Sequence, residues 1–437
     1  MSVRSPSAVG ATVARVPGIR DVIRRQLVRT VFQPIVDLGT EAVVGYEALS
    51  RGPADSALEN PGALFGAAAA AGLSIELDWV CRGSALRAAL AADVHKSRAI
   101  FINVEPASLC RPEPGWLSDL IDNARSRLAI VHEITERATA NAPANLLVAT
   151  ARMRANGTLL AIDDVGTDPA SLALLPFLAP ELIKLDIDVT QTSLLSAMAR
   201  TATAVNAYAE RSGALVVAEG IETTTHRETA LALGADLGQG WLFGRPGALP
   251  ADAVAPALRP LIASRPEPSR VGTPFEMLSA VRPVRRGTKD LLLRMSRGIE
   301  EQARTEGDSV VLLSTFQDAR YFTAATRRRY RQLAEKSALV GALGVGLPTT
   351  PEPGVRGAAL RRNEPLRGEW DVCLVGPYIA AAFAGRDLGD TGPDLERRFD
   401  FVISHDRDHV IAATQALMIR LSADTTPPNA TDEANGD

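Results

Sequence analysis

The chain has 437 residues, 46% hydrophobic and 22% charged, with a formal net charge of −4. That balance suits a folded protein with sizeable cores and gives no broad attraction to nucleic acid or to an anionic membrane surface. No apolar run approaches the ~20 residues of a membrane span and the N-terminus has no signal-type apolar segment, so a cytoplasmic protein is expected. Cys81, Cys110 and Cys373 lack metal-type spacing and read as buried small hydrophobes in a reducing compartment.

Residues 1–18 are rich in Ser, Pro and Ala and read as a flexible N-terminus. From residue 31 to about 246, apolar runs alternate with helical patterns. The runs are Val31–Leu38, Val43–Leu49, Ala99–Val104, Leu128–Ile134, Leu159–Ile162, Leu182–Leu185, Ala214–Ala218 and Gly240–Phe243. Most are continuously apolar, as expected for parallel strands buried on both faces. Helical patterns fall at Ser74–Ala92, Ala144–Ala155 and Ser193–Arg211, and Asn156-Gly157 and Ser212-Gly213 supply stop signals. Repeated strand–helix units predict a modified (β/α)8 TIM-like barrel over residues 19–250, with a doubly wound open sheet as the alternative. The short turn Gly39-Thr40 makes one of the first two strands antiparallel. Residues 251–269, rich in Pro, Ala and Arg, read as a linker. A smaller α/β domain over 270–421 follows, with strands at Val310–Ser314, Leu339–Val345, Val372–Val375 and Phe399–Ile403 and helices at Tyr321–Lys336 and Arg407–Leu421. Residues 422–437 read as a disordered tail.

The polar residues of the first block fall at strand ends. Glu47 and Arg51 stand four apart where a buried strand meets solvent, which reads either as a solvated ion pair or as a metal ligand beside a phosphate clamp. Asn103, Glu133, the pair Asp163-Asp164, then Lys184, Asp186, Glu219 and Glu222 end later runs. In a barrel the carboxyl ends of the strands meet at one mouth. So many acids there repel one another unless cations neutralise them. Oxygen donors without Cys or a suitable His favour Mg²⁺ or Mn²⁺ over zinc, and adjacent aspartates suit a two-ion site that clamps both oxygens of a phosphoryl displacement. His132 alternates with Glu133 and is expected to pack against a helix.

These residues resemble the EAL-domain family of cyclic-di-GMP phosphodiesterases over about residues 28–247. The resemblance rests on Glu47-Ala48-Leu49, Phe32-Gln33-Pro34-Ile35-Val36, Asn103, Glu133-Ile134-Thr135-Glu136 and Asp163-Asp164. It continues through Ile183-Lys184-Leu185-Asp186, Ala218-Glu219-Gly220-Ile221-Glu222-Thr223 and Gly238-Gln239-Gly240-Trp241-Leu242-Phe243. It implies that Glu47, Asn103, Glu133, Asp163, Asp164 and Glu219 hold the metals. Lys184 then orients water or polarises a phosphate oxygen, and Arg51 grips a substrate phosphate. Gln239 and Glu222 support the water and metal shell, Gln33 lines the nucleotide site, and Glu136 braces a loop. The reaction implied is hydrolysis of cyclic-di-GMP to pGpG by a homodimer formed through this domain. In the loop Val165–Ser171, Asp168 and Pro169 replace a glycine and an aromatic of the family pattern, so turnover and its regulation are expected to differ there. A catalytically weak receptor for the same nucleotide is the alternative, and the complete ligand set favours the enzyme.

The second block resembles the DICT family of sensory domains through segments such as Val311-Leu312-Leu313-Ser314-Thr315-Phe316-Gln317. Its signal is not implied by the resemblance. The basic run Arg327–Arg331 reads as a solvated face rather than an anion site. Asp406 and Asp408, beside His405 and His409, read as helix-capping acids rather than metal ligands.

Overall fold

The computed structural model describes residues 17–94, 98–135, 143–166, 170–186, 196–250 and 272–421. The expected N-terminal segment up to residue 16, the linker and the tail lie outside them. So do Glu136 and the loop positions Thr167, Asp168 and Pro169.

Eight strands close into a barrel in chain order. They are β1 (Arg29–Asp37), β2 (Val43–Arg51), β3 (Ala99–Asn103), β4 (Ala129–Thr135), β5 (Leu159–Val165), β6 (Leu182–Leu185), β7 (Leu215–Ala218) and β8 (Leu237–Gln239). β1 runs antiparallel to both β2 and β8, while β2 through β8 are mutually parallel. The short Gly39-Thr40 connection dictates this, because a parallel pair needs a crossover too long for it. Outside lie α1 (Ile19–Arg24), α2 (Pro61–Ala70), α3 (Ser74–Ala91), α4 (Pro106–Leu109), α5 (Gly115–Arg127), α6 (Pro143–Ala155), α7 (Ala170–Leu178), α8 (Ser196–Ser212) and α9 (Thr224–Ala232).

Inside the barrel, Ile35, Ala99, Phe101, Val131, Ala161, Leu182, Val217 and Leu237 form one buried apolar cluster. Phe101 needs room that Gly45 leaves: a Cβ there would stand 2.9 Å from the ring and 2.7 Å from the Ala99 carbonyl oxygen. The alternate residues, such as Ile100, Ile102 and Ile130, face outward and pack on helices. His132 belongs to that outward set. Burial, with Arg82 and Arg125 nearby, pushes its imidazole down to about 3.

The eighth strand lies earlier than the sequence suggests. Leu237–Gln239 pair with β1 and β7, whereas Gly240–Phe243 turn away and leave Trp241 and Leu242 exposed. Gly240 packs on the Ile221 backbone so closely that a Cβ would lie 2.1 Å from its carbonyl oxygen. A second correction concerns Cys110, which is exposed beside the end of α4, while Cys81 and Cys373 are buried as expected.

The second unit is a seven-stranded sheet in the order β12-β11-β10-β13-β14-β15-β9. Its strands are β9 (Arg285–Thr288), β10 (Val311–Asp318), β11 (Leu339–Val345), β12 (Val355–Ala359), β13 (Glu369–Val375), β14 (Ala380–Asp387) and β15 (Arg398–Ser404). β10, β11 and β12 are parallel and the other pairings are antiparallel. Its helices are α10 (Pro274–Ser279), α11 (Lys289–Glu306), α12 (Ala324–Ala334) and α13 (Arg407–Met418). Asp406 caps α13 by accepting from the His409 N–H, and Arg327, Arg329 and Arg331 pair with Glu352, Glu300 and Glu352. The two units share one continuous apolar cluster, and Gln415 of α13 donates to the carbonyl oxygen of Phe177 in α7 at 2.9 Å. No helix among the described residues is long and apolar enough to cross a membrane.

Candidate metal and phosphate site

Side chains on one face of a strand recur every second residue. Stepping two residues from the apolar barrel layer therefore gives the next layer toward the mouth. Gly45 leads to Glu47, Phe101 to Asn103, Val131 to Glu133, Ala161 to Asp163, Leu182 to Lys184, Val217 to Glu219 and Leu237 to Gln239. One layer thus gathers Glu47, Asn103, Glu133, Asp163, Lys184, Glu219 and Gln239.

At its heart is Lys184, whose side chain is fully buried. Its ammonium lies 2.7 Å from Glu219, 2.9 Å from Glu133, 2.9 Å from Asp163 and 3.5 Å from Glu47. Glu47 also accepts from Asn103 Nδ2 at 3.0 Å and from Gln239 Nε2 at 2.6 Å, and Gln239 donates to Gln33 Oε1 at 3.2 Å. One positive charge faces four carboxylates, and Lys184, Glu47, Glu133 and Asp163 are all buried. Burial pushes Glu133 well above the usual carboxylate range; Lys184 opposes this, and Glu47 and Asp163 add to it. Burial also raises Glu219, to about 8, against the pull of Lys184. For Glu47 the same burial is outweighed by Lys184 and by the donors Gln239 and Asn103, so its carboxyl titrates below its ordinary value. Burial lowers Lys184, but Asp163, Glu133, Glu219 and Glu47 overcome it and hold the ammonium well above the ordinary lysine value.

Asp164 reaches the mouth by another device. Adjacent residues of a strand point to opposite faces, so Asp163 and Asp164 cannot share a site in regular β-structure. Here the ladder between β5 and β6 shifts register between Ile162 and Val165, and Asp164 adopts φ 58. Aspartate tolerates this left-handed conformation better than most residues. The result brings carboxylate oxygens of Asp163, Asp164 and Glu219 within 4.8 Å of one another.

The donor set fits a hard divalent cation. The available ligands are oxygens, the local charge is negative, and Glu133 Oε2 and Gln239 Oε1 are buried without a hydrogen-bond partner among the described residues. Arg51 is half-buried at the rim, donates to the Ser50 carbonyl at 2.9 Å, and meets no carboxylate at ion-pair distance among the described residues. The reading of Glu47 and Arg51 as a mutual ion pair therefore does not hold. Glu222 is not gathered into the layer: it is exposed, and its backbone N–H donates to His226 Nδ1 at 3.3 Å. The sequence reading placed Glu133, Lys184 and Glu219 at one mouth but did not pair the lysine directly with the carboxylates, although the two-residue step from each apolar position brings them face to face.

Comparison with known proteins identifies the families of both units. The EAL domain family matches residues 18–246, and the family described as a sensory domain in diguanylate cyclases and two-component systems, DICT, matches residues 277–387. The chain is 30% identical over 244 residues to the probable cyclic di-GMP phosphodiesterase PdeB of Escherichia coli, covering 52% of this chain and 44% of that protein. It is 29% identical over 245 residues to the cyclic di-GMP phosphodiesterase RocR of Pseudomonas aeruginosa, covering 54% and 62%. The chain thus spans about half the length of these curated relatives. A solved structure of Klebsiella pneumoniae BlrP1 with manganese and cyclic-di-GMP aligns over 51% of this chain and 56% of its own, at 28% identity and a TM-score of 0.46. The PaMucR phosphodiesterase in complex with c-di-GMP aligns over 52% and 95%, at 27% identity and a TM-score of 0.45. The chain belongs to the EAL-domain family and carries a DICT sensory domain behind its barrel.

Proposed function

We propose that the barrel hydrolyses cyclic-di-GMP to linear pGpG with divalent cations, Mg²⁺ or Mn²⁺, and that the DICT domain regulates the rate. The observation that carries this reading is the complete polar layer around Lys184, in which every strand from β2 to β7 contributes a cation or phosphate-directed group or supports one. The relatives named cyclic di-GMP phosphodiesterases support the substrate class.

In this reading Glu47, Asn103, Glu133, Asp163, Asp164 and Glu219 hold two ions. When bound, such ions neutralise charge on the phosphodiester and make water a stronger nucleophile at neutral pH. Arg51, with no carboxylate at ion-pair distance among the described residues, presents its guanidinium fork to a substrate phosphate. Gln33 and Gln239, bonded to each other, fix the Glu47 carboxylate and leave Gln239 Oε1 free to accept from water. Lys184 keeps its proton under the carboxylate field and stabilises negative charge that develops as the P–O bond breaks.

Regulation has a physical route. α7 begins at Ala170, six residues after Asp164, and α13 of the DICT domain is bonded to it through Gln415 and Phe177. A shift of α13 acts on the helix that follows the Asp163-Asp164 turn. The test is incubation of purified protein with cyclic-di-GMP and Mg²⁺ or Mn²⁺, with chromatography for pGpG. Product that vanishes with EDTA supports the reading; tight binding of the nucleotide without product under either metal moves the assignment to a receptor.

A further inference from the structure

The DICT sheet carries a cleft that the hydrolytic reading does not use. It encloses about 610 Å³ and opens where β10, β11 and β14 end, lined there by Gln317, Asp318, Val345 and Asp387. Open α/β sheets place ligands outside the carboxyl ends of their strands, and this volume falls in the usual range for small-molecule sites.

Two features mark the cleft as built. First, β10 leaves its ladder with β11 there: the register shifts between Thr315 and Asp318, and Gln317 adopts φ 57. A glutamine held in the left-handed region is strained, and such strain clusters at ligand sites. Its side chain donates to Asp387 Oδ2 at 3.3 Å. Second, one wall is a pinned loop. Leu366 is wholly buried, and the Arg361, Glu364 and Arg367 backbones bond in sequence, Glu364 N–H to the Arg361 carbonyl and Arg367 N–H to that of Glu364.

That loop presents Arg362 and Arg367, both exposed and lining the cleft. Neither guanidinium has a carboxylate at ion-pair distance among the described residues; Arg367 donates only to the Arg362 carbonyl, at 2.8 Å. The other charges of the lining are committed. Arg397 pairs with Asp387 and Asp394 and donates to the Tyr321 hydroxyl at 3.0 Å, and Glu364 faces Arg420 at 3.5 Å. Asp318 is engaged too, capping the turn at Arg320 N–H at 3.0 Å with the Arg320 side chain 4.0 Å away. The uncommitted charge is therefore two guanidiniums on one rigid loop. That matches the charge of a phosphate monoester, roughly −1.5 to −2 at neutral pH, in a fork geometry suited to its oxygens.

We propose that this cleft binds an organic phosphate of nucleotide size, its phosphate held by Arg362 and Arg367, as the signal-binding site of the DICT domain.

Isothermal titration of the full chain in EDTA tests it, with adenosine monophosphate, guanosine monophosphate, inorganic pyrophosphate, adenosine and succinate as probes. At least one nucleotide is expected to bind below about 1 mM, with adenosine and succinate at least about tenfold weaker. The variant Arg362→Gln/Arg367→Gln, checked for an unchanged melting profile, is expected to lose the nucleotide by at least about tenfold. Arg51→Ala is expected to leave it unaltered, which separates this cleft from the barrel mouth. Absence of binding by both nucleotides and pyrophosphate overturns the proposal, and so does full binding by the Arg362/Arg367 variant. Succinate binding as well as the nucleotides overturns the phosphate assignment.

Discussion

Replacing Lys184 by methionine preserves most of the side-chain volume and removes the one ammonium among Glu219, Glu133, Asp163 and Glu47. Breaking a buried ion pair by deleting one partner typically destabilises by about 3–5 kcal/mol, because the remaining charge is left without compensation. Here several carboxylates lose their counter-charge together, so the upper part of that range is expected in EDTA at pH 9. Protonation offers partial relief. Glu219 titrates near 8 in the fold against 4.5 unfolded, so the folded state binds the extra proton between those values. For a raised acid, stability is favoured at low pH and lost as pH rises toward the folded value. The variant's deficit should therefore shrink between pH 9 and pH 6. Saturating Mg²⁺ or Mn²⁺ should also shrink it, since a ligand that binds only the native state stabilises it by mass action. Urea unfolding followed by circular dichroism, in EDTA and in metal at both pH values, measures all four quantities. A Lys184→Met protein within about 0.5 kcal/mol of the parent in EDTA, or one that metal does not help, would refute the picture of a charge cluster waiting for cations.

Glu133→Gln and Asp163→Asn should each reduce pGpG formation by at least about a hundredfold, with little change in the far-ultraviolet spectrum; near-native rates in either would remove that residue from the ligand set. His132→Phe should protect the barrel from acid: burial pushes the native imidazole down to about 3 from 6.5, so its contribution is complete above 6.5 and falls by about 3 kcal/mol at pH 4.5. Equal acid midpoints for parent and variant would contradict this. Gln415→Leu deletes the bond to the Phe177 carbonyl and should move the hydrolysis rate of the full chain toward that of residues 1–250 alone; an unchanged rate in a protein whose truncation does alter activity would exclude this contact as the route.

The barrel was legible because a parallel strand buried on both faces writes itself as a continuous apolar run, and the site because polar residues interrupt those runs two steps past an inward-facing position. What stayed hidden has local causes. β8 has three residues, two of them Gly238 and Gln239, so its hydrophobic signal is weaker than that of the following Trp241-Leu242-Phe243, which forms a turn with Trp241 and Leu242 exposed. Asp164 looked like a normal neighbour of Asp163; that it turns to the same mouth depends on a register shift and a left-handed residue, neither of which residue type alone announces. In the second unit the readable strands were the apolar ones, and β9, β12 and β14 passed unassigned: Arg285–Thr288 is polar, and Ala380–Asp387 is rich in Ala and reads equally as helix. α11 was missed as well, although Leu292, Ser296, Ile299 and Ala303 recur on one buried face at helical spacing.

The contact between the units could not be read from either alone, and it changes how the site is understood. α7 is apolar almost throughout, Ala170 to Leu178 with only Ser171 polar, and such a helix must be covered on more than one side. The barrel covers one side; in this fold α13 contributes to the rest, and the two share a single apolar cluster. Gln415, itself buried, is bonded there to a backbone carbonyl rather than to water. Pro176 lies within α7 and has no N–H, which leaves a carbonyl of the preceding turn without its usual helical donor. A helix with that interruption, following the Asp163-Asp164 turn in the chain and bonded near its end to α13, is the element on which the proposed regulation of the site around Lys184 rests.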